Sequence, residues 1–206
     1  MSLSIENTRF FEIEGKTFAA GNRTFTLNEP DQKAESALVI PFGVKTSSFS
    51  ETQVLSVKIE GEKLEELKKF EQELLAKLNL NCPDFIAGTQ KHYSIIKQSR
   101  DECMLNFKIN PETTWSFFDV KKGTFSKSKI DQALPGSKVF VDFAIGHPWK
   151  MDINGKVCFG FSLRAIDVVI CSTMTKTPKI LKRKTIKDKM TELLKKKTKF
   201  MEHKEE

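Results

Sequence analysis

Short segments in which apolar and polar residues alternate recur along most of this chain, and no other feature constrains the fold as strongly. In residues 138–145, for example, Val139, Val141, Phe143 and Ile145 share one face of an extended strand. The pattern along the chain predicts further strands at residues 8–13, 17–20, 23–27, 37–42, 53–59, 93–97, 103–109, 114–120 and 157–170, with a hairpin in residues 151–157 that leads into the last of them. Many short strands must pair with one another to remove their open edges. The sequence therefore predicts a mainly β (α+β) protein built on an antiparallel barrel that is closed or nearly closed.

One segment departs from this period and predicts a helix. From Glu62 to a stop near Pro83, apolar residues recur with the 3.6-residue period of an α-helix. Glutamates occupy its first turn, where the helix dipole favours negative charge. The residues predicted to share the apolar face are Leu64, Leu67, Leu74, Leu75 and Leu78, with Phe70 at the margin. The sequence thus predicts one helix inserted between strands of the barrel.

Local signals predict a hairpin, a bend and an edge strand. Asn154 and Gly155 tolerate the positive φ of a two-residue hairpin turn. In residues 157–170 the apolar phase shifts near Ala165, which predicts a β-bulge. Pro41 cannot donate a ladder hydrogen bond, so we expect the strand at residues 37–42 to lie at a sheet edge.

The net charge of +7 lies entirely in the C-terminal segment. From Met174 onward there are 12 basic and 5 acidic residues, so the rest of the chain is neutral. We predict a domain at residues 1–173 and a basic, partly helical tail at residues 174–206. Three interpretations fit the tail, whose central cations are Lys182, Arg183 and Lys184: contact with a nucleic-acid backbone, a nuclear import signal, or a solvated extension.

Residue types needed for catalysis or metal binding do not occur in recognisable patterns. The sequence has no Gly-rich phosphate loop, no Gly-x-Ser-x-Gly and no His-Glu-x-x-His. Its 4 cysteines and 3 histidines lack the spacing of a zinc site. We therefore expect no enzyme activity, no metal and no cofactor.

Targeting segments are not apparent either. No apolar run approaches the roughly 18 residues of a membrane-spanning helix. The first residues lack the basic and apolar parts of a signal peptide. We expect a protein that does not associate with membranes and that stays in a reducing intracellular compartment.

Aromatic residues interleaved with cations are the pattern that indicates a ligand. Trp115 and Phe117 fall on one face of the predicted strand at residues 114–120, and Trp149 follows the strand at residues 138–145. Exposed rings stack on unpaired bases and nearby cations neutralise phosphates, so this mixture favours a groove for single-stranded nucleic acid. The cations predicted to take part are Lys108, Lys121, Lys122, Lys150 and Arg164. In the alternative, both tryptophans pack in the core or at its rim amid solvated lysines.

Residues 53–171 resemble a known family in the order of their strands and in a few residue types. The segments that carry the resemblance are residues 104–109, 113–119, 134–143, 148–149, 155 and 160–169. They resemble the single-stranded DNA-binding proteins of large nucleo-cytoplasmic DNA viruses, which are similar in turn to the replication single-strand binders of short-tailed bacteriophages. The resemblance implies an OB-fold, sequence-independent binding of single-stranded DNA, and a role in replication, recombination or repair. The phage proteins end in an acidic tail that docks replication enzymes, whereas the tail here is basic, which favours DNA contacts or import instead.

These observations lead to one hypothesis and two alternatives. The first is a non-enzymatic single-strand DNA binder with an OB-type barrel, located in the nucleus or at a cytoplasmic viral replication site. The second is a structural or scaffolding protein whose basic amphipathic tail recruits a partner. The third is an RNA-binding OB protein. Only contacts to the 2′-OH group would distinguish such a protein from a DNA binder. The sequence leaves open whether replication proteins or further copies of the chain are partners.

Overall fold

A computed structural model describes residues 3–21, 23–28, 34–46, 51–99 and 101–171. Its strands are β1 (Thr8–Ile13), β2 (Lys16–Gly21), β3 (Thr24–Thr26), β4 (Leu38–Val39), β5 (Val44–Thr46), β6 (Gln53–Ile59), β7 (Lys91–Tyr93), β8 (Ile96–Ser99), β9 (Glu102–Ile109), β10 (Thr114–Asp119), β11 (Thr124–Lys127), β12 (Lys138–Ile145), β13 (Trp149–Ile153), β14 (Lys156–Gly160) and β15 (Leu163–Cys171). Its helices are α1 (Gly61–Asn81), a single turn α2 (Pro83–Ile86) and a 3-10 turn at Ile130–Gln132. The predicted tail at residues 174–206, with Lys182, Arg183 and Lys184, lies outside the described residues.

Five of the strands close into a barrel. The hydrogen-bonded order is β4, β6, β9, β15 and β12, and β12 pairs back onto β4. Numbered in chain order, these strands follow the ring 1-2-3-5-4-1. The β9 and β15 pair is parallel and the other four pairs are antiparallel. This ring has the topology of an OB-type barrel, and the predicted fold class is confirmed.

Strand alternation and one helix supply the core. Leu55 and Val57 of β6 and Phe107 of β9 point inward and are fully buried. The predicted helix is present as α1, and its buried face packs on the same core. Phe70 is buried there with its ring centroid 4.9 Å from that of Phe25, so it belongs to the core rather than to the helix margin. Among the helices of the described residues, none is long and apolar enough to span a bilayer.

Two local predictions are confirmed by the backbone. Asn154 and Gly155 have φ values of 55° and 75° and form the turn between β13 and β14. The pairing of β12 with β15 shifts register between Asp142 and Phe143, opposite Ala165. The extra residue of this bulge lies where the apolar phase shift predicts it.

Two other local predictions are wrong. The strand that precedes Pro41 is not at an edge, because β4 ends at Val39 and pairs with β12 on one side and β6 on the other. The segment at residues 157–170 is not one strand, because β14 belongs to a separate sheet with β13 and β7, whereas β15 belongs to the barrel. The chain crosses between these sheets at Phe161, which is buried with its ring centroid 5.8 Å from that of Phe10.

Two extensions flank the barrel. β10 pairs with β15, and β11 pairs with β10 to form the end of the sheet. At the other side, β1 and β2 form a separate hairpin that contacts α1. The Ala19 amide of this hairpin donates to Nδ1 of His147 at 3.0 Å, so His147 has a structural role.

Candidate nucleic-acid interface

A row of cations crosses the outer face of the barrel. In this row, Lys45 of β5 lies opposite Val54 of β6, Val54 lies opposite Lys108 of β9, and Lys108 lies opposite Arg164 of β15. Register partners in neighbouring strands project from the same face of a sheet. Because neighbouring strands are about 4.8 Å apart, the row spans about 14 Å. We call Lys45, Lys108 and Arg164 the cationic row.

The cationic row faces solvent. Phe107 and Leu163, which precede Lys108 and Arg164, are buried in the core, so alternation directs both cations outward. All three members of the row are exposed. Within the described part of the chain, none of the three lies within 4.0 Å of a carboxylate. Three aligned positive charges without carboxylate partners make a surface that attracts anions.

An exposed aromatic ring lies at one end of this row. Phe42, in the loop before β5, is 44% exposed. The Nζ atom of Lys45 lies 4.2 Å from the centroid of its ring, a cation–π geometry. Sequence reasoning missed Phe42, although an aromatic residue between Pro41 and Gly43 in a loop is a usable signal.

A pair of aromatic rings lies beside β8. Trp149 and Tyr93, which we call the ring pair, have centroids 5.9 Å apart and are both half-buried. The Nζ atoms of Lys91 and Lys97 lie 4.9 and 5.5 Å from the Tyr93 centroid. Lys97 is the register partner of Met104 in β9, so it lies on the outer face that carries Lys108. Tyr93 is the second ring that sequence reasoning missed. The strand predicted at residues 93–97 is wrong, because β7 ends at Tyr93 in one sheet and β8 begins at Ile96 in another.

A buried carboxylate fixes the segment that carries Tyr93. Glu71 of α1 accepts hydrogen bonds from the Ser94 hydroxyl and the Ile95 amide, both at 2.7 Å. The Nε2 atom of His92 lies 3.5 Å from the same carboxylate, and burial lowers the pKa of His92. Burial also lowers the pKa of Lys97. The corner between β7 and β8 is therefore tied to α1 by polar contacts as well as by packing.

Close packing against Gly160 fixes the position of Trp149. Gly160 lies opposite Trp149 in the β13 and β14 hairpin. A Cβ atom at Gly160 would lie 2.8 Å from the Trp149 ring and 2.7 Å from the Tyr93 carbonyl oxygen. The absence of a side chain at this position allows the indole to lie across the backbone of β14.

Three of the predicted cations lie apart from the cationic row. Lys121 and Lys122 lie beyond the far end of β10, where Phe118 pairs with Cys171. That pair is seven residues beyond Arg164 along β15, or roughly 23 Å at 3.3 Å per residue. Lys150 is the third such cation.

These three lysines also have local contacts. The Nζ atom of Lys122 lies 3.7 Å from the Asp119 carboxylate, and the Lys121 amide donates to the same carboxylate at 3.0 Å. The Nζ atom of Lys150 donates to the carbonyl oxygens of Phe85 and Ala87 at 2.9 and 3.1 Å. Contact of these cations with nucleic acid stays a prediction.

The remaining predicted rings, Trp115 and Phe117, lie on the opposite face of the sheet from Arg164. They pair with Val168 and Ile170 of β15, both of which are buried in the core. Both rings are half-buried and pack against that core. The structure therefore brings Lys108 and Arg164 together, and it places Trp115 and Phe117 away from Trp149.

Solved structures of phage proteins are similar to this chain. The single-stranded DNA-binding protein from bacteriophage Enc34, in a C-terminally truncated form, aligns over 84% of this chain and 98% of its own, with 8% identity and a TM-score of 0.47. The same protein in complex with ssDNA aligns over 81% and 96%, with 9% identity and a TM-score of 0.39. The single-stranded DNA-binding protein gp2.5, encoded by bacteriophage T7, aligns over 69% of this chain and 87% of its own, with 14% identity and a TM-score of 0.38. No protein-family model and no curated protein matches the sequence.

Proposed function

We propose that this protein binds single-stranded DNA without reading its sequence, on the outer face of the barrel. The cationic row is the observation that supports this function most directly, because three strands contribute aligned charges with no carboxylate of the described residues within 4.0 Å. OB-type barrels bind oligonucleotides on the face of their second and third strands, which here are β6 and β9. A strand laid across this face would place its phosphates at the row.

The rings beside the row favour an unpaired strand over a duplex. Phe42 lies at one end of the row, and the ring pair lies beside β8, a strand of the sheet that carries the row. Bases stack on such rings only when they are released from their complementary partners, and each stacked base contributes about 1–3 kcal/mol by alanine substitution. Stacking is tolerant of sequence because every base has a flat face.

We further propose that the protein is non-enzymatic and acts in replication, recombination or repair. The support is the resemblance of residues 53–171 to the single-strand binders of large nucleo-cytoplasmic DNA viruses, which also suggests a viral origin. The basic tail with Lys182, Arg183 and Lys184 would add attraction that does not depend on sequence. The four cysteines are spread widely along the sequence without a Cys-x-x-Cys pair, which favours a reducing compartment such as the nucleus or a cytoplasmic viral replication site.

Fluorescence anisotropy with labelled oligo-dT tests this function on the full chain. We expect K45A/K108A/R164A to weaken binding roughly 100-fold at low salt, because three phosphate contacts are lost. A control with the same loss of charge, K16A/K68A/K69A, removes three exposed lysines from β2 and α1 and should change binding less than about threefold. Competition with duplex DNA and with matched RNA identifies the preferred nucleic acid. Equal losses in the two triple variants, or no binding by the wild type, would contradict the proposal.

A further inference from the structure

A groove lies at the end of the barrel, next to the cationic row. Its volume is about 930 Å³, and its walls include Thr46, Gln53, Asn110, Trp115 and Lys129. The function proposed above does not use this groove. Trp115 is its aromatic wall, and the Trp115 carbonyl accepts a hydrogen bond from the Ser128 amide at 3.0 Å.

Strand register places the groove one residue away from the row. Lys45 lies opposite Val54 and Val54 lies opposite Lys108, and the next residues along the strands, Thr46 and Gln53, are also register partners. Successive side chains point to opposite faces of a sheet. The row therefore lies on the outer face of the barrel. The residues that line the groove lie one position further along the strands, at the end of the barrel. A nucleic-acid strand bound on the row would reach the groove by turning over the ends of β5 and β6.

The groove has the chemistry of a base site rather than a phosphate site. A half-buried indole offers a flat stacking surface, and the side chains of Gln53 and Thr46 are exposed beside it. An amide offers both donors and an acceptor, as the edge of a nucleobase requires. The lining includes one cation, Lys129, and one carboxylate, Glu51, so it does not concentrate positive charge as the cationic row does.

We propose that this groove binds a nucleobase of the strand that lies on the cationic row, with the base against Trp115. This inference rests on the proposed function and extends it, because it adds a subsite beyond the outer face. Lys129 stands at the rim of the groove and would contact the backbone of the inserted nucleotide. Lys127, the last residue of β11, pairs with Ser116, so it projects from the face of the sheet opposite to Trp115.

The emission of Trp115 tests the subsite directly. The chain has 2 tryptophans, so Trp149→Phe leaves Trp115 as the sole fluorophore and keeps a ring at position 149. We expect oligo-dT of about 15 nucleotides to quench Trp115 in step with the binding curve measured by anisotropy. An oligomer of the same length with abasic sites keeps its phosphates and should bind the row without quenching. Unchanged emission at saturation with oligo-dT, or equal quenching by the abasic oligomer, would overturn the subsite.

A matched pair of charge reversals provides a second test. We expect Lys129→Glu to weaken oligo-dT binding roughly fivefold and to reduce the quenching of Trp115, while Lys127→Glu changes either by less than about twofold. Equal effects of the two reversals would overturn the assignment of Lys129 to the groove. If oligo-dT binds and K45A/K108A/R164A weakens that binding, but Trp115 is not quenched, this inference alone is refuted. If oligo-dT does not bind at all, both proposals are overturned.

Discussion

Two basic regions of this molecule differ in how their cations come together. In the cationic row, Lys45, Lys108 and Arg164 are far apart in the sequence and are aligned by strand register. In the turn after β10, Lys121 and Lys122 are neighbours in the sequence, and Asp119 contacts both. Register can therefore build a row of cations that sequence spacing conceals, while one lysine of a visible pair has a carboxylate of its own turn 3.7 Å from its Nζ atom.

The aromatic residues show the same contrast. Trp115 and Phe117 alternate as expected on β10, yet their shared face packs against the core. Tyr93 and Trp149 come from separate short strands, and contacts to α1 and β14 hold them beside the barrel face. Contacts between distant segments thus determine where each ring lies relative to the cationic row.

The sharpest way to break this comparison is to reverse two charges in each region. We expect K108E/R164E to weaken oligo-dT binding roughly 100-fold or more, because two phosphate contacts become repulsive. We expect K121E/K122E, with the same change of charge, to weaken it less than about fivefold. Anisotropy titrations at one salt concentration measure both, with thermal unfolding as the control for folding. Losses of similar size would show that only net charge matters.

Removal of the Glu71 carboxylate tests the support of the ring pair. Glu71→Ala leaves the Ile95 amide and the Ser94 hydroxyl without their acceptor in a buried site. We expect it to lower the free energy of unfolding by roughly 2–3 kcal/mol, and Glu71→Gln, which keeps one acceptor oxygen, by about 1 kcal/mol. Urea unfolding measures the difference. Equal costs for the two variants would show that these hydrogen bonds do not fix the corner.

A methyl group at Gly160 tests the packing of Trp149. Because the added Cβ atom would lie 2.8 Å from the indole, we expect Gly160→Ala to cost about 2 kcal/mol of stability and to shift the emission of Trp149. Gly155→Ala in the same hairpin meets no atom within 4 Å and is strained only by its φ of 75°, so it should cost about 1 kcal/mol and leave the emission unchanged. Identical emission spectra for both variants would contradict the packing.

The smallest expected effect is a dependence of stability on pH. Burial holds the pKa of His92 below its ordinary value of 6.5, with the Glu71 carboxylate and the Lys97 ammonium as its charged neighbours. Below about pH 6.5 the unfolded chain binds a proton that the folded protein does not, so lowering the pH favours unfolding. We expect the unfolding free energy to fall by less than about 1 kcal/mol as the pH drops from 7.5 to about 5.5, and His92→Gln to flatten this slope. The same slope in both proteins would assign the effect to other groups.

Much of the barrel is predictable from local pattern. Residues 138–145 are found as β12 with the predicted ends, and the phase shift near Ala165 marks the observed bulge. The edge position predicted for the strand before Pro41 is wrong because β4 is too short to include the proline. The division between β14 and β15 depends on which sheet each joins, and no local pattern contains that information.

The site is less predictable than the fold. Lys108 and Arg164 are two of the predicted cations, and they become neighbours through the parallel pairing of β9 with β15. Lys45 lies in β5, a strand of three residues for which a period cannot be read, and Phe42 lies in the loop before it. The positions of Lys121 and Lys122 relative to the row follow from the length of β15, which sequence spacing does not reveal.

The salt dependence of binding tests the central claim most directly. For single-stranded DNA the logarithm of the binding constant falls with the logarithm of salt concentration by about 0.7 per phosphate neutralised. If the cationic row contacts three phosphates, the slope for K45A/K108A/R164A should be shallower than that of the wild type by about 2, and the slope for K16A/K68A/K69A should be unchanged. Parallel lines for the wild type and the row variant would contradict the account, because they would show that the row contacts no phosphate.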